Sequence, residues 1–563
     1  MSIIRPRDIP ARAFSVLSAA GLPPLLARLF AARGISGPAG LDLSLKALLP
    51  PAALTGTREA AQLLADAIES GARMVIVADY DCDGATACAV GVRALRTFGA
   101  DVHYLVPDRV ALGYGLTPPM VELAARLSPE VLITVDNGIA SLEGVAAARA
   151  HGMSTLITDH HLPGAALPEA DVIVNPNQPG CGFPSKAIAG VGVMFYVMLA
   201  LRAELRERGA FAAGGEPNLA DLLDLVALGT VADVVKLDHN NRIFVSQGLQ
   251  RMRANRMQPG IRALFTVARR DAARANAFDL GFALGPRLNA AGRLADMSLG
   301  IECLVTDDEA RALALARELD QLNDERREIE ADMQETARQY LENFDTDDRV
   351  GITLFEPDWH PGVVGLVAGR IREKLYRPTI AFAPGKDGEL KGSGRSIPGL
   401  HLRDALELVA RRAPGLVLRF GGHAMAAGLS IREEKLLDFR AVFEEVAASL
   451  LDPADLQRRI DTDGALEAAD ISLEAARLLE QEVWGQGFPA PVFDNVFRVE
   501  QQRILKDRHL KLQLSLGGTR FDAIRFDNAA SAPGAIRAAY RLNINEFKGL
   551  SNVQLMLEHF EAA

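Results

Sequence analysis

The sequence predicts an α/β protein: a parallel-sheet domain, a long connecting helix, a second α/β domain and a C-terminal β-barrel of the OB type. Three observations carry this expectation. From about residue 72 to 235, apolar runs alternate with alanine-rich segments of helical spacing. Residues 306–344 contain neither glycine nor proline. The last hundred residues alternate apolar and polar positions between turn residues, as small barrels do.

Taken in order, residues 1–46 form an N-terminal segment, and the first α/β domain runs from 47 to 305. Its expected strands are "RMVIVAD" (73–79), "DVHYLVP" (101–107), "EVLITVD" (130–136), "STLITDHH" (154–161) and "DVIVNP" (171–176). Each is a short, β-branched-rich run, the pattern of a strand buried on both faces. Segments such as "GATACAVGVRALRTFG" between them supply crossover helices, so the sheet is parallel. The helix of 306–346 opens on Thr306 and Glu309, the spacing of a capping box. It measures roughly 60 Å at about 1.5 Å per residue, and its thin apolar stripe suits a connection between domains. The second α/β domain, 347–455, carries the glycine-punctuated stretches "WHPGVVGLVAGR", "KGSGRSIPG" and "FGGHAMAAG". The barrel occupies 456–563.

At 563 residues the chain is too long for one core. Its 49% hydrophobic and 24% charged content is that of a folded soluble protein. No apolar stretch reaches membrane-spanning length, and "MSIIRPRDIPAR" lacks the apolar core of a signal peptide. Four cysteines (Cys82, Cys88, Cys181, Cys303) without a CxxC pair suggest reduced thiols and a cytoplasmic protein. A net charge of −11 argues against a nucleic-acid coat protein but not against a nucleic-acid enzyme, which needs only a local basic path.

The stretch "VADYDCDG" puts Asp79, Asp81 and Asp83 at alternate positions. This fits the opening of an EF-hand calcium loop, but position 12 of such a loop would be Val90 rather than glutamate, and the loop follows a strand. A solvated acidic turn is the other simple reading. Asp136 and Asp159-His160-His161 also close strands, and ligands of open α/β sheets bind at the carboxyl ends of strands. Asp233 closes "DLVALGTVAD" after an apolar helical run. So many carboxylates in one crevice repel one another unless cations lie between them. Carboxylates with one or two imidazoles suit Mn²⁺ or Mg²⁺. Two such ions sharing a carboxylate, about 3.5–4 Å apart, activate water and stabilise the leaving oxygen of a phosphoester. Metal-dependent phosphoester hydrolysis is the chemistry this set favours.

The stretches "ADYDCDG", "VDNG", "TDHH" and "LGTVAD" resemble the four motifs of the DHH phosphoesterase superfamily, and "KGSGRS" with "FGGHAMAAG" resembles its DHH-associated domain. The long helix, "GPRLNAAGRL" (285–294) and the barrel are similar to the single-strand-specific 5′→3′ exonucleases of that superfamily, over residues 70–563. The resemblance implies the following roles. Asp136 bridges two metals. Asp81 and Asp136, with Asp79, hold one of them. Asp83, Asp136, His160 and Asp233 hold the other, and His161 faces the scissile phosphate. The pyrophosphatase branch has a histidine where this chain has Val77, so the first site lacks one familiar ligand.

An exonuclease must also recognise an end. Ser393, Gly394 and Arg395 suit a terminal 5′-phosphate, which Arg109 could join. Arg287 and Arg293 are backbone-binding candidates, and His423 either touches phosphate near the metals, as the resemblance implies, or caps a buried turn. A narrow channel between the α/β domains is expected to select single strands. The sparse aromatics, 6%, argue against a long stacking platform. Basic stretches "RIREKLYR" and "RILKDRHLK" would follow phosphates, the latter through Lys506, Arg508 and Lys511. The resemblance implies single-stranded DNA as substrate, and a single-stranded DNA-binding protein and a RecQ-type helicase as partners. Two alternatives stay open: a phosphodiesterase of short oligonucleotides or cyclic dinucleotides, and a non-catalytic DNA-binding scaffold like the superfamily member of the eukaryotic replicative helicase. The first would not need the barrel, and the second would be expected to have lost metal ligands.

Overall fold

The computed structural model describes residues 3–107, 115–212, 214–342, 349–547 and 549–563. It divides into two compact units, one of Arg7–Asn323 with Asp463–Ala563, the other of Asp324–Thr462 with the N-terminal residues through Pro6. No helix among the described residues is long and apolar enough to cross a membrane. All four cysteines are free thiols.

In the larger unit, five parallel strands form one sheet. They are Arg73–Ala78, Asp101–Leu105, Val131–Val135, Ser154–Thr158 and Val172–Val174, with Arg73–Ala78 between Asp101–Leu105 and Val131–Val135. The apolar runs bury both faces. Met74, Ile76 and Ala78 enter the main core under the helices Cys82–Thr97 and Gly190–Glu207. Val75 and Val77 enter a second core with Leu116, Val121 and Val145 on the opposite side. Sheet order reverses beside Arg73–Ala78, the first strand in sequence, which makes its carboxyl end the natural ligand crevice.

The register fixes what lies there. Ala78, Val135, Thr158 and Val174 are aligned across four neighbouring strands. The ladder continues one residue further, with Asp79 N–H donating to Val135 O, Asp136 N–H to Thr158 O and Asp159 N–H to Val174 O. Three aspartates from three distant motifs are thereby set in one row.

The same unit contains the barrel. Its strands are Phe493–Leu505, His509–Leu516, Thr519–Arg525, Ala535–Phe547 and Leu550–Ala562. They close in the order first, second, third, fifth, fourth, with one parallel pairing, third to fifth. That is the OB arrangement, and Leu510, Leu512, Leu514, Phe521 and Tyr540 fill it. The N-terminal residues brace the approach to the barrel. Arg33 donates to both carboxylate oxygens of Asp463 at 2.8 and 2.9 Å, and its guanidinium lies 5.1 Å from the Trp484 ring centroid.

In the smaller unit a five-stranded sheet joins Ile352–Phe355, Thr379–Pro384, Glu389–Arg395, Ala426–Arg432 and Arg419–Gly422, in that spatial order. Its core is built from Ile380, Phe382, Leu406, Leu429, Phe439 and Phe443.

The helix Glu309–Glu342 passes from one unit into the other, the division falling at Asn323. The expected capping box does not form. Asp308 caps instead, its carboxylate accepting the N–H groups of Ala310 (2.8 Å) and Arg311 (3.1 Å), while Glu309 turns outward to Arg262. An aspartate next to the helix start reaches those amides more directly than the hydroxyl two residues earlier.

Candidate metal centre and active site

The acidic turn after the first strand is shaped by a helix start. Asp81 caps Cys82–Thr97, accepting the N–H groups of Asp83 (2.8 Å) and Gly84 (3.0 Å). Gly84 is required there, because a Cβ would stand 2.6 Å from Asp79 O. Asp83 is fully buried and points at a second helix start, where Gly190 N–H and Val191 N–H donate to its two oxygens at 2.6 and 2.9 Å. Two helix N-termini thus support negative charge at one spot.

Asp136 sits in the left-handed region at φ 61°, an uncommon conformation for a buried non-glycine residue and one associated with functional strain. Asn137 holds the turn, its side-chain amide donating to Val77 O and Val135 O. Gly190 again permits the close approach, since a Cβ on it would lie 2.7 Å from Asp136 Oδ1. Asp233 ends the helix Leu223–Ala232, where a carboxylate opposes the helix dipole, and Val234 after it has φ 60°, a strained value for a β-branched residue. Local propensity disfavours both features, which makes Asp233 a candidate for the site.

Around this floor His160 Nε2 lies 3.0 Å from Asp136 Oδ1, 3.5 Å from Asp233 Oδ2 and 3.9 Å from Asp83 Oδ2. His161 Nδ1 is 2.8 Å from Asp159 Oδ1 and 4.0 Å from Asp136 Oδ1. Asp159 is buried. It also accepts the N–H groups of His160, His161 and Ile139, so it sets the orientation of the whole Asp-His-His turn. Asn175 and Asn177 hold the two histidine carbonyls from the neighbouring loop.

Three groups of side chains place donor atoms within 4.8 Å of one another: Asp79, Asp81 and Asp136; Asp83, His160 and Asp233; and Asp136, His160 and His161. Burial, and then the neighbouring carboxylates, raise the affinities of Asp79, Asp136 and Asp233 for protons well above the carboxylate range, and bring Asp83 up to about 7. In the bare chain His161 is pulled the other way. Burial opposes its charged form, but the bond to Asp159 and the charges of Asp159, Asp79 and Asp81 outweigh this and bring it to about 9. Oxygen donors with one or two imidazoles and a surplus of negative charge fit hard divalent cations. Val77 is buried in the second core, so the first group relies on carboxylates alone.

Of the other residues singled out, Ser393 and Arg395 share the half-buried face of Glu389–Arg395, while Gly392 and Gly394 press on the core of the smaller unit. Arg395 donates to Ser393 Oγ (3.1 Å) and Gly394 O (2.8 Å). Both side chains lie over Gly365, in the first turn of Val364–Leu375, where a Cβ would meet Ser393 Oγ at 2.8 Å and Arg395 Nη2 at 3.0 Å. His423 lies in the hairpin turn beside them; its N–H bonds Ala426 O, and Ala426 pairs with Arg395. Guanidinium, hydroxyl and helix N-terminus together suit an anion. Arg287 is engaged with Asp320 at 2.8 Å and with Ala283 O. Arg109 lies outside the described residues. Lys506 and Arg508 flank the hairpin between the first two barrel strands, with Lys511 on the second.

The comparisons with known proteins agree with this geometry. Models of the DHH family N-terminal domain, the DHHA1 domain and the RecJ OB domain match residues 73–230, 347–449 and 462–559. The chain is 52% identical over 552 residues to the single-stranded-DNA-specific exonuclease RecJ of Dickeya dadantii, covering 96% of both chains. It belongs to the RecJ family. The RecJ of Escherichia coli is 50% identical, again over 96% of each chain. Among solved structures, RecJ of Thermus thermophilus in complex with Mn²⁺ matches with a TM-score of 0.84 and 31% identity, covering all of this chain and 80% of that one. The sequence reading assigns no role to Gly190, Asn137, Asn175 and Asn177, which lie outside the candidate donor groups but hold them in place. Asn137 stands inside "VDNG" without a role of its own there, and the other three are signalled only by "AGVGV" at a helix start and "VNPN" after a strand.

Proposed function

We propose that the chain is a divalent-metal-dependent exonuclease. It hydrolyses single-stranded DNA from the 5′ end and releases 5′-mononucleotides, in DNA repair and recombination. The observation that supports this most is the row of Asp79, Asp136 and Asp159 at one register level, with Asp136 shared between two donor groups.

Two Mn²⁺ or Mg²⁺ ions held by Asp79, Asp81, Asp83, Asp136, His160 and Asp233 supply a water nucleophile and charge neutralisation at the phosphate. The chain does the rest. Water attacks the phosphorus of the second nucleotide, and the bond to the O3′ of the first breaks. The first nucleotide leaves with its 5′-phosphate and a free 3′-hydroxyl, and the strand keeps a new 5′-phosphate. His161, with Nδ1–H directed to Asp159, presents Nε2 and is the proton donor to the departing O3′ or to a phosphate oxygen. Ser393, Gly394 and Arg395 receive the terminal 5′-phosphate, with Arg109 as a further contact; Arg287 is a backbone contact, His423 a further phosphate contact, and Lys506, Arg508 and Lys511 receive the strand beyond. A cytoplasmic setting is supported by the four free thiols, and a RecQ-type helicase and a single-stranded DNA-binding protein as partners are supported by the family resemblance alone.

The test is digestion of 3′- and 5′-labelled oligonucleotides, single- and double-stranded, with Mn²⁺, Mg²⁺ or EDTA. Mononucleotides appear from the 5′ end of single strands only, cleavage stops in EDTA, and Asp136→Ala removes it while leaving the thermal unfolding cooperative. Internal cleavage, or turnover by Asp136→Ala near the wild-type level, contradicts the reading.

A further inference from the structure

Phe278 and Phe282 are out of keeping with an aromatic-poor chain whose large rings are mostly buried. They are 55% and 71% exposed, and their rings stack with centroids 4.6 Å apart and planes 22° apart. They stand four residues apart on one continuous helical rod: a short helix Ala277–Asp279, a π-helical turn Leu280–Leu284, and the helix Gly285–Leu294. A π-turn re-aims side chains and is common at functional sites.

The rod is fastened to the metal centre at two places. A Cβ added at Gly281 would meet Val231 Cγ1 at 3.3 Å, and one at Gly285 would meet Ala232 Cβ at 3.1 Å, both in the last turn before Asp233. Further along, Asn289 Oδ1 accepts the N–H of Cys82 at 2.8 Å, between the ligands Asp81 and Asp83. At Gly292 a Cβ would collide with Tyr80 O at 1.8 Å. The inner side of the rod is apolar, with Leu280, Leu284 and Leu288 buried. The phenylalanines stand on the outer side, Phe282 roughly 10 Å and Phe278 roughly 16 Å along the axis from Asn289 at about 1.5 Å per residue.

Two exposed stacked rings invite an occupant. Their surroundings are polar: Asp279 lies 3.5 Å from Arg270, and Arg274 pairs with Glu480 and with Glu546 of the barrel. An apolar protein helix would find too narrow a stripe there. A planar base attached to a charged backbone fits better, because its face takes the ring and its phosphate stays among charges and water. We propose that Phe278 and Phe282 are a stacking platform for one unpaired base of the strand held at the metal centre, and that they contribute to single-strand selectivity. A base within a duplex is already stacked on both faces and must be unstacked before it can lie there.

This inference rests on the exonuclease reading, and its test separates the two. The probes are 5′-phosphorylated oligonucleotides with a 3′ fluorophore and a single abasic site, moved one position at a time from the 5′ end. Binding is measured by anisotropy in EDTA, and KM and kcat in Mn²⁺. The wild type loses roughly 5- to 150-fold in affinity when the abasic site reaches one particular position, the range for one base on an aromatic ring. The Phe278→Ala/Phe282→Ala protein has a flat profile, with a raised KM on intact strands and kcat within about two-fold. Phe278→Leu/Phe282→Leu, which keeps apolar volume without aromatic faces, is also flat, and Phe282→Trp restores the peak. A wild-type profile without a peak, or a peak that survives in the alanine and leucine proteins, overturns the platform while leaving the exonuclease in place. Absence of both binding and cleavage of single strands by the wild type overturns the exonuclease reading itself.

Discussion

At the scale of single residues, the centre is shaped by groups outside the candidate donor set. Gly190 donates to Asp83 and leaves room for Asp136, so Gly190→Ala places a methyl where 2.7 Å separates it from Asp136 Oδ1. Either Asp136 or the bond to Asp83 must give way. Overpacking of this kind costs typically about 1–3 kcal/mol. We expect Mn²⁺ affinity, followed by calorimetry or by the metal-dependent rise in unfolding temperature, to fall at least roughly ten-fold if even about 1.4 kcal/mol of that falls on the metal-bound state. An unchanged affinity would assign Gly190 to packing alone. Asp159 is hydrogen-bonded to His161. Its charge raises the proton affinity of the imidazole, so the protonated form persists to higher pH than it would alone. If His161 donates a proton, activity is lost as pH rises through its pKa, and Asp159→Asn shifts that alkaline limb to lower pH. A kcat profile that drops uniformly without shifting would leave Asp159 only a scaffolding role.

At the scale of elements, the sequence is most readable where one strand or one turn carries the whole signal. The five apolar runs, three of them ending in Asp79, Asp136 and Asp159, form neighbouring strands of one parallel sheet, because a run buried on both faces has few other places to go. What stays hidden depends on partners far apart in the chain. Arg33 and Asp463, 430 residues apart, make a pair whose side chains are 1% and 2% exposed, yet nothing near Arg33 marks it. The start of the helix Gly190–Glu207 reads locally as an ordinary apolar helix, and only the fold aims its amides at Asp83. The start of the long helix differs from expectation by one cap, Asp308 displacing Thr306, since several polar residues in a row offer competing caps. The strand Glu389–Arg395 is intermediate: "KGSGRS" announces alternation, glycines inward and Ser393 with Arg395 on the other face. If that face grips a terminal phosphate, Arg395→Ala weakens use of 5′-phosphorylated strands by roughly ten-fold or more, the scale of one charged hydrogen-bonded pair. Strands with a 5′-hydroxyl lose little. Competition between the two substrates in one reaction measures this, and equal losses would place Arg395 on an internal phosphate or in loop support.

At the scale of the whole molecule, a chain of net charge −11 must hold a polyanion, which makes the placement of its cations decisive. The barrel offers one such place. Lys506 lies in the turn between its first two strands, and Arg503 is directly opposite Lys511 in the pairing of those strands. Like charges opposite each other destabilise a sheet unless something else uses them. In the OB architecture the loop between the first two strands and the face of the second and third are where oligonucleotides bind. The cations are only partly neutralised by the fold: Arg508 pairs with Asp527, and Lys511 lies 3.6 Å from Asp522. Exposed pairs of this kind are worth at most about 1 kcal/mol, so exchanging a carboxylate for a phosphate is cheap. Each phosphate contact on a single strand contributes about −0.7 to the slope of log affinity against log salt. Neutralising Lys506, Arg508 and Lys511 together therefore flattens that slope by up to roughly two units. Strands too short to reach the barrel keep their affinity, long strands lose it, and kcat at saturation changes little because the metal centre is untouched. Binding of short and long single strands by wild type and triple variant across a salt series decides the matter. An unchanged slope with equal activity on both lengths would leave the barrel as a surface for another protein.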